Sequence, residues 1–204
     1  MNKTLNIPTS WDDITIGQFQ EYTRRVGDSA DNTHKVEQAL IVLCGIDEAD
    51  VQRLTAKDMM RIMTLLQFID SEPADETGLV QQMEIAGVEV GFIPNWTQLT
   101  LGEYVDLESY CVGGDMVMNL HKAVALMYRP ITMQALHQYE IAPYNPNPLV
   151  QESMKQVPMS VAVSAVVFFY NIGKAFAKDL QSSSRRPKGL TGPTHSGLNG
   201  AGIE

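Results

Sequence analysis

The chain has 204 residues, a formal net charge of −9 and a 44% apolar fraction, enough to build one domain of ordinary size or two small lobes sharing a core. So acidic a surface repels nucleic acid and anionic lipid before any specific contact forms, which makes proteins the expected partners. Cys44 and Cys111, with no CxxC spacing, exclude a disulfide framework and read as buried reduced thiols, while Met1 to Asn6 lack the apolar centre of a secretory leader.

In chain order, the first element is half of a repeat. Ile7-Pro8-Thr9-Ser10-Trp11-Asp12-Asp13-Ile14-Thr15-Ile16-Gly17-Gln18-Phe19 returns as Ile93-Pro94-Asn95-Trp96-Thr97-Gln98-Leu99-Thr100-Leu101-Gly102-Glu103-Tyr104, about 85 residues later. In each copy the Ile-Pro pair favours an extended arm, because proline disfavours the α region in the residue before it. Thr15 and Thr100 are N-caps, with Gln18 and Glu103 placed to reach back to the cap's own N–H, a capping box in both copies. Ile14 with Phe19, and Leu99 with Tyr104, have the spacing of a hydrophobic staple. Trp11 and Trp96 read as structural plugs between arm and helix.

The first lobe, residues 1–72, then runs through a helix from Thr15 to Val26, a polar loop over 27–32, and a helix from Thr33 to Cys44 that Gly45 ends. A short acidic helix over 46–54 follows. Thr55 caps a further helix through Phe68, on which Met59, Met60, Met63, Leu65, Leu66 and Ile69 crowd together. Core packing explains that cluster, and an adaptable binding groove is the alternative. Ser71 to Gly78 is turn-rich and acidic, a linker. Residues 82–93 alternate apolar and polar around Ala86-Gly87, the pattern of a β-hairpin, and Thr4 to Ile7 is expected as a third strand beside it.

The second lobe, residues 94–180, repeats the helices over Thr100–Tyr110 and Met116–Tyr128, with Pro130 as the stop. Residues 131–157 have no counterpart in the first lobe and read as a long loop held by prolines and tyrosines, either a docking surface or a wrap over the core. Ser160 to Leu180 is an apolar helix whose Val161–Ile172 stretch is too short to cross a bilayer. From Gln181 to Glu204 the composition turns to Ser, Gly and Pro with the basic cluster Arg185, Arg186 and Lys188, a flexible tail that could order on a partner.

No reaction centre emerges. His34, His121, His137 and His195 form no zinc-binding spacing, and there is no phosphate loop, dinucleotide fingerprint or nucleophile elbow. His34-Lys35 and His121-Lys122 fall at related repeat positions and read as helix-start residues. No catalytic residue, cofactor or metal is expected; a small enzyme using His121 or Asp115 is the remote alternative.

The repeated Trp-x-x-[Ile/Leu]-Thr-[Ile/Leu]-Gly-x-[Phe/Tyr] unit, the helix Asn119-Leu120-His121-Lys122-Ala123 ending at Met127-Tyr128-Arg129-Pro130, and Phe168-Phe169-Tyr170-Asn171-Ile172-Gly173 give the chain its resemblance. It resembles small morphogenesis proteins of tailed bacteriophages, some of them tail assembly chaperones, over residues 5–180. The resemblance implies a non-enzymatic assembly or virion protein in the host cytoplasm or the virion. It implies phage structural proteins, or further copies of the chain, as partners, without membrane or nucleic acid. The expected fold is mainly α, two pseudo-repeated helical lobes joined by a small hairpin sheet over 73–93. Tyr139, Tyr144, Arg185, Arg186 and Lys188 are the expected partner-binding residues.

Overall fold

The computed structural model describes residues 6–71, 78–112, 115–136 and 138–184, with the side chains of these except 70 and 175–184. Among the described residues, eight α-helices and one four-stranded antiparallel sheet give a mainly α architecture. The helices are α1 (Ile16–Val26), α2 (Asn32–Val42), α3 (Glu48–Val51), α4 (Ala56–Leu65), α5 (Leu101–Cys111), α6 (Met116–Met127), α7 (Pro148–Ser153) and α8 (Met159–Ser184). The strands are β1 (Gln82–Ile85), β2 (Val88–Phe92), β3 (Tyr128–Ala135) and β4 (Gln138–Ile141), in that order across the sheet.

Both capping boxes form. The Gln18 amide N–H donates to Thr15 Oγ1 at 3.2 Å, and the Thr15 N–H donates to Gln18 Oε1 at 2.9 Å. In α5 the Glu103 N–H reaches Thr100 Oγ1 at 3.2 Å and the Thr100 N–H reaches Glu103 Oε2 at 2.7 Å. Before each box the chain makes one 3₁₀ turn, at Trp11–Asp13 and at Trp96–Gln98. Trp11 meets Phe19 and Phe68 edge-on, each at 5.3 Å between centroids, and Trp96 packs among Phe92, Phe168 and Phe169. The other helix ends differ slightly from expectation. The Asp31 carboxylate caps α2, starting it at Asn32, and α2 stops at Val42, before Gly45 takes a φ of +63°. The helix α3 is one turn, and α4 tightens to a 3₁₀ segment at Leu66–Asp70. His34 sits in the first turn of α2, whereas His121 lies in the middle of α6 rather than at its start.

The β1–β2 hairpin forms as read, with Ala86 at φ +51° and Gly87 at +78°, the two left-handed residues of a type I′ turn. Its third strand is different. Asn6 and Ile7 make no strand, and Thr4 and Leu5 lie outside the described residues, while β3 pairs with β2 through Phe92↔Tyr128, Gly91↔Arg129 and Val90↔Pro130. Pro130 does turn the chain out of α6, which ends at Met127, since the residue before a proline avoids helical geometry. It then continues as strand, its carbonyl accepting from the Ala142 N–H at 2.8 Å. Residues 131–157 are therefore not a loop. They supply the rest of β3, then β4, then α7 behind the Asn147 cap with Pro148 in its first turn, then a 3₁₀ turn that buries Met154. Met154 and Val157 of this segment are buried in the core, while Met133, Leu136 and Leu149 are exposed.

Residues through Phe169 form one compact unit, and a second unit begins at Tyr170. Residues 72–77 of the expected linker lie outside the described residues, and in the first unit residues of both expected lobes share a single core. Ile14, Ile16, Leu40, Leu107, Leu126, Tyr128 and Val157 are all fully buried in it. Backbone hydrogen bonds from the Ile16 N–H to Val157 O (2.9 Å) and from the Met159 N–H to Ile14 O (2.8 Å) close the first arm onto the segment before α8. Helix α8 extends past the expected tail boundary to Ser184; residues 185–204 are outside the described set.

Two glycines separate packing from propensity. A Cβ on Gly91 in β2 would lie 2.4 Å from the Tyr139 ring of β4, which crosses β3 to cover it, whereas a Cβ on Gly102 in the first turn of α5 meets nothing within 4 Å. Gly91→Ala is expected to destabilise by about 1–3 kcal/mol through overpacking, and Gly102→Ala to stabilise by about 0.5–1 kcal/mol through helix propensity. Urea unfolding of the two variants beside the parent measures both.

Candidate functional site

Two buried polar centres and several exposed apolar faces are the features from which a function can be built. The first centre is the pair Glu103–Arg129, 2.8 Å apart with both side chains almost fully buried. Glu103 enters it because the Thr100 box fixes its backbone and holds its other oxygen, through the Thr100 N–H and hydroxyl, each at 2.7 Å. Arg129, the second residue of β3, donates through Nε to Leu126 O at 3.0 Å and through a terminal nitrogen to Ala142 O at 3.4 Å, and lies over the Tyr144 ring. Burial alone would raise the Glu103 pKa, but the Thr100 donors and the Arg129 charge outweigh it and hold the carboxyl below its usual value. Both Glu103 oxygens and the guanidinium have a partner within the chain, so the centre ties α5 to the end of α6 and the start of β3. The box position in α1 carries neutral Gln18 instead.

The second centre joins α1 to α6. Gln20 of α1 places its amide nitrogen 2.9 Å from Val117 O, 3.2 Å from Met118 O and 2.9 Å from His121 Nδ1. His121 Nε2 faces Glu152 of α7 at 3.8 Å, and Lys155 pairs with Glu152 at 2.7 Å. With the Gln20 amide as donor, Nδ1 is the acceptor, which corresponds to the tautomer protonated on Nε2. Burial lowers the His121 pKa, helped by Lys155 and Lys122 and opposed by Glu152 and the Met118 backbone. Through Gln20 and Glu152 the ring links α1, α6 and α7. Among the described residues, no three His, Cys, Asp or Glu side chains are grouped to hold a metal ion.

The expected partner-binding tyrosines are used inside the fold. The Tyr139 hydroxyl donates to Phe92 O at 2.7 Å, and the Tyr144 hydroxyl donates to Asp106 Oδ2 at 3.0 Å; both rings are half-buried. Arg185, Arg186 and Lys188 lie outside the described residues. The structural residues Trp11, Thr15, Gln18, Trp96, Thr100 and Glu103 stand where the repeat places them, and the indole N–H groups of both tryptophans are buried without a hydrogen-bond partner. Cys44 is buried and Cys111 half-buried, both free thiols pushed up to about 11 by desolvation and so unreactive at neutral pH.

Outward-facing apolar side chains are what sequence reasoning underrated. On α4, Ile62 faces the core while Met60 and Met63 are 65% and 43% exposed, and beside them Val36, Val51, Met59 and Met63 line a cleft of about 400 Å³. On α5, Leu101 and Val105 are 79% and 52% exposed, and Val112, the extended residue just after the helix, is 69% exposed. The helical period was the available signal: with Glu103 and Leu107 facing the core, Leu101, Val105, Glu108 and Val112 fall on the opposite side. No helix among the described residues is long and apolar enough to cross a membrane. No family model, curated protein or solved structure matches the chain.

Two outcomes follow from the buried centres. Arg129→Met leaves the Glu103 carboxylate buried without its cation and is expected to cost about 3 kcal/mol or more, whereas the double change with Glu103→Gln, which recreates the Gln18 arrangement, recovers part of that loss; urea midpoints at pH 7 test it. Because the folded pKa of His121 lies below its unfolded value, the unfolded chain binds the proton first, so stability declines as pH falls below about 6.5. His121→Gln should flatten that decline between pH 7 and 5, leaving the carboxylate-driven loss at lower pH, as denaturation midpoints across the range would show.

Proposed function

We propose that this chain is a non-enzymatic assembly protein of a tailed bacteriophage, a chaperone that covers apolar surface on a tail protein until that protein polymerises. The observation that carries the binding role is the exposed methionine face of α4 with its adjoining cleft. Methionine side chains are unbranched and polarizable, and adapt to varied apolar partners, and monomeric proteins seldom leave such groups clustered in water. The −9 charge keeps the chain soluble while that face is free. The phage assignment rests on the repeat and the motifs that resemble morphogenesis proteins. The two buried polar centres, fully engaged in joining helices, support a structural reading over a catalytic one.

A second reading, a permanent ring, connector or tail subunit present in the host cytoplasm and then in the virion, is favoured by a different feature, the apolar line along α5. It requires repeated self-association, for which one exposed helix face on each copy is suited. In this reading, as in the first, the repeat of Trp11–Phe19 in Trp96–Tyr104 is an internal duplication whose copies have diverged in their charged partners.

The test is co-expression with the tail proteins encoded beside it. The parent chain is expected to hold one of them in a soluble complex, Met60→Glu with Met63→Glu to lose that complex while remaining folded, and purified virions to lack the chain. Stoichiometric copies in virions would favour the ring or connector reading, and neither a complex nor virion copies would overturn both.

A further inference from the structure

Ile16 and Gln20 are the buried residues of α1, so one of the two side chains that this helix sinks into the core is polar. The Gln20 amide nitrogen has three neighbours on α6: Val117 O at 2.9 Å, Met118 O at 3.2 Å and His121 Nδ1 at 2.9 Å. The two carbonyls can only accept, and turning the amide over would set its oxygen against both, so the nitrogen is held toward α6. Nδ1 therefore has to accept as well. The arrangement that joins α1 to α6 fits the neutral ring alone, because both nitrogens of an imidazolium carry hydrogens.

The charges around the ring come from three elements. Glu152 of α7 lies 3.8 Å from Nε2, Lys155 in the 3₁₀ turn after α7 pairs with Glu152, and Lys122 is the next residue of α6. From α1 only neutral Gln20 reaches the ring, and among the described residues α5, which also packs on α6, supplies none of the charges acting on it. Glu152 and the Met118 carbonyl favour a protonated ring, but that carbonyl is held by the Gln20 amide, so the ring can take it only in the amide's place. We propose that the Gln20–His121 joint is a proton-operated switch: protonated His121 expels the Gln20 amide from α6 and takes the Met118 carbonyl through Nδ1 and the Glu152 carboxylate through Nε2. The proton binds the open arrangement more tightly than the closed one, because closing the joint lowers the His121 pKa, so the open population grows as pH falls below about 6.5. The backbone bonds from Ile16 to Val157 and from Met159 to Ile14 contain no titratable group and stay closed, which confines the release to α1 from Gln20 onward.

An NMR titration of the full-length chain between pH 7 and 5 tests the switch. In the parent, the His121 ring signals and the Gln20 carboxamide signals are expected to titrate together with a midpoint below about 6.5, and the carboxamide to lose its nuclear Overhauser contacts to Met118 and His121 while the Ile16 amide keeps its protection from exchange. In His121→Gln the Gln20 carboxamide should hold its position across the range. Gln20→Glu puts an acceptor where the donor stood and is expected to raise the proton affinity of His121 by about tenfold or more, a shift that packing alone would not produce. Three results overturn the switch: His121 taking its proton while the carboxamide stays on α6, a ring that remains neutral until the whole chain unfolds, or a carboxamide that responds equally in His121→Gln. The first two are read on the parent, so they decide the matter even if a variant fails to fold.

Discussion

Everything in the first compact unit depends on how the capped start of α1 is clasped by the segment before α8. The Ile16 N–H and the Ile14 carbonyl use Val157 and Met159 as partners, so the arm preceding α1 completes its hydrogen bonds more than 140 residues away in sequence. These groups lie at a helix N-terminus, where the backbone has donors without intrahelical acceptors, and their burial makes a partner obligatory. Gly17 shows how close the approach is: a Cβ there would come within 3.2 Å of the Lys155 backbone oxygen. From the clasp, Gln20 reaches the Val117 and Met118 carbonyls and His121, which aligns α1 with α6, and Ser160 donates to the Asp12 carboxylate.

The second copy of the motif is held by other means. Gly102 touches nothing, and in place of a backbone clasp the box acid Glu103 is drawn to Arg129 at the start of β3. One motif thus yields a helix start fixed by backbone pairing in the first half and a helix start fixed by a buried ion pair in the second. The difference has a consequence for the surface. The clasp covers the start of α1 with chain, leaving Ile14 and Ile16 buried, whereas the ion pair anchors α5 from beneath and leaves Leu101 and Val105 in water. The exposed apolar face of α5 is a by-product of that choice of anchor.

Local signals were legible in the sequence because they are decided by neighbours three or four residues apart. The capping boxes at Thr15 and Thr100, the Ala86-Gly87 turn and the helical spans all follow from such short-range chemistry. What escaped was decided at long range. Residues 131–141 look loop-like by their flanking prolines, yet the short alternation of Ile131-Thr132-Met133 and Gln138-Tyr139-Glu140 pairs as strands once β2 offers an open edge. Tyr139 and Tyr144 read as partner-binding residues; contacts with a glycine two strands away and a carboxylate on α5, which spacing alone does not reveal, occupy part of their rings and hydroxyls. The apolar face of α5 was present in the spacing of Leu101, Val105 and Val112 and needed the burial of Glu103, an acid, to reveal which side faces outward.

Native-state hydrogen exchange at the Ile16 and Met159 amides tests the clasp most directly. If one core joins both halves of the repeat, these two amides exchange through global unfolding, with the same free energy as the most protected amides of α6. Exchange of Ile16 and the rest of α1 at a distinctly lower free energy than α6 would instead describe two lobes that open independently, and would contradict the single-core account.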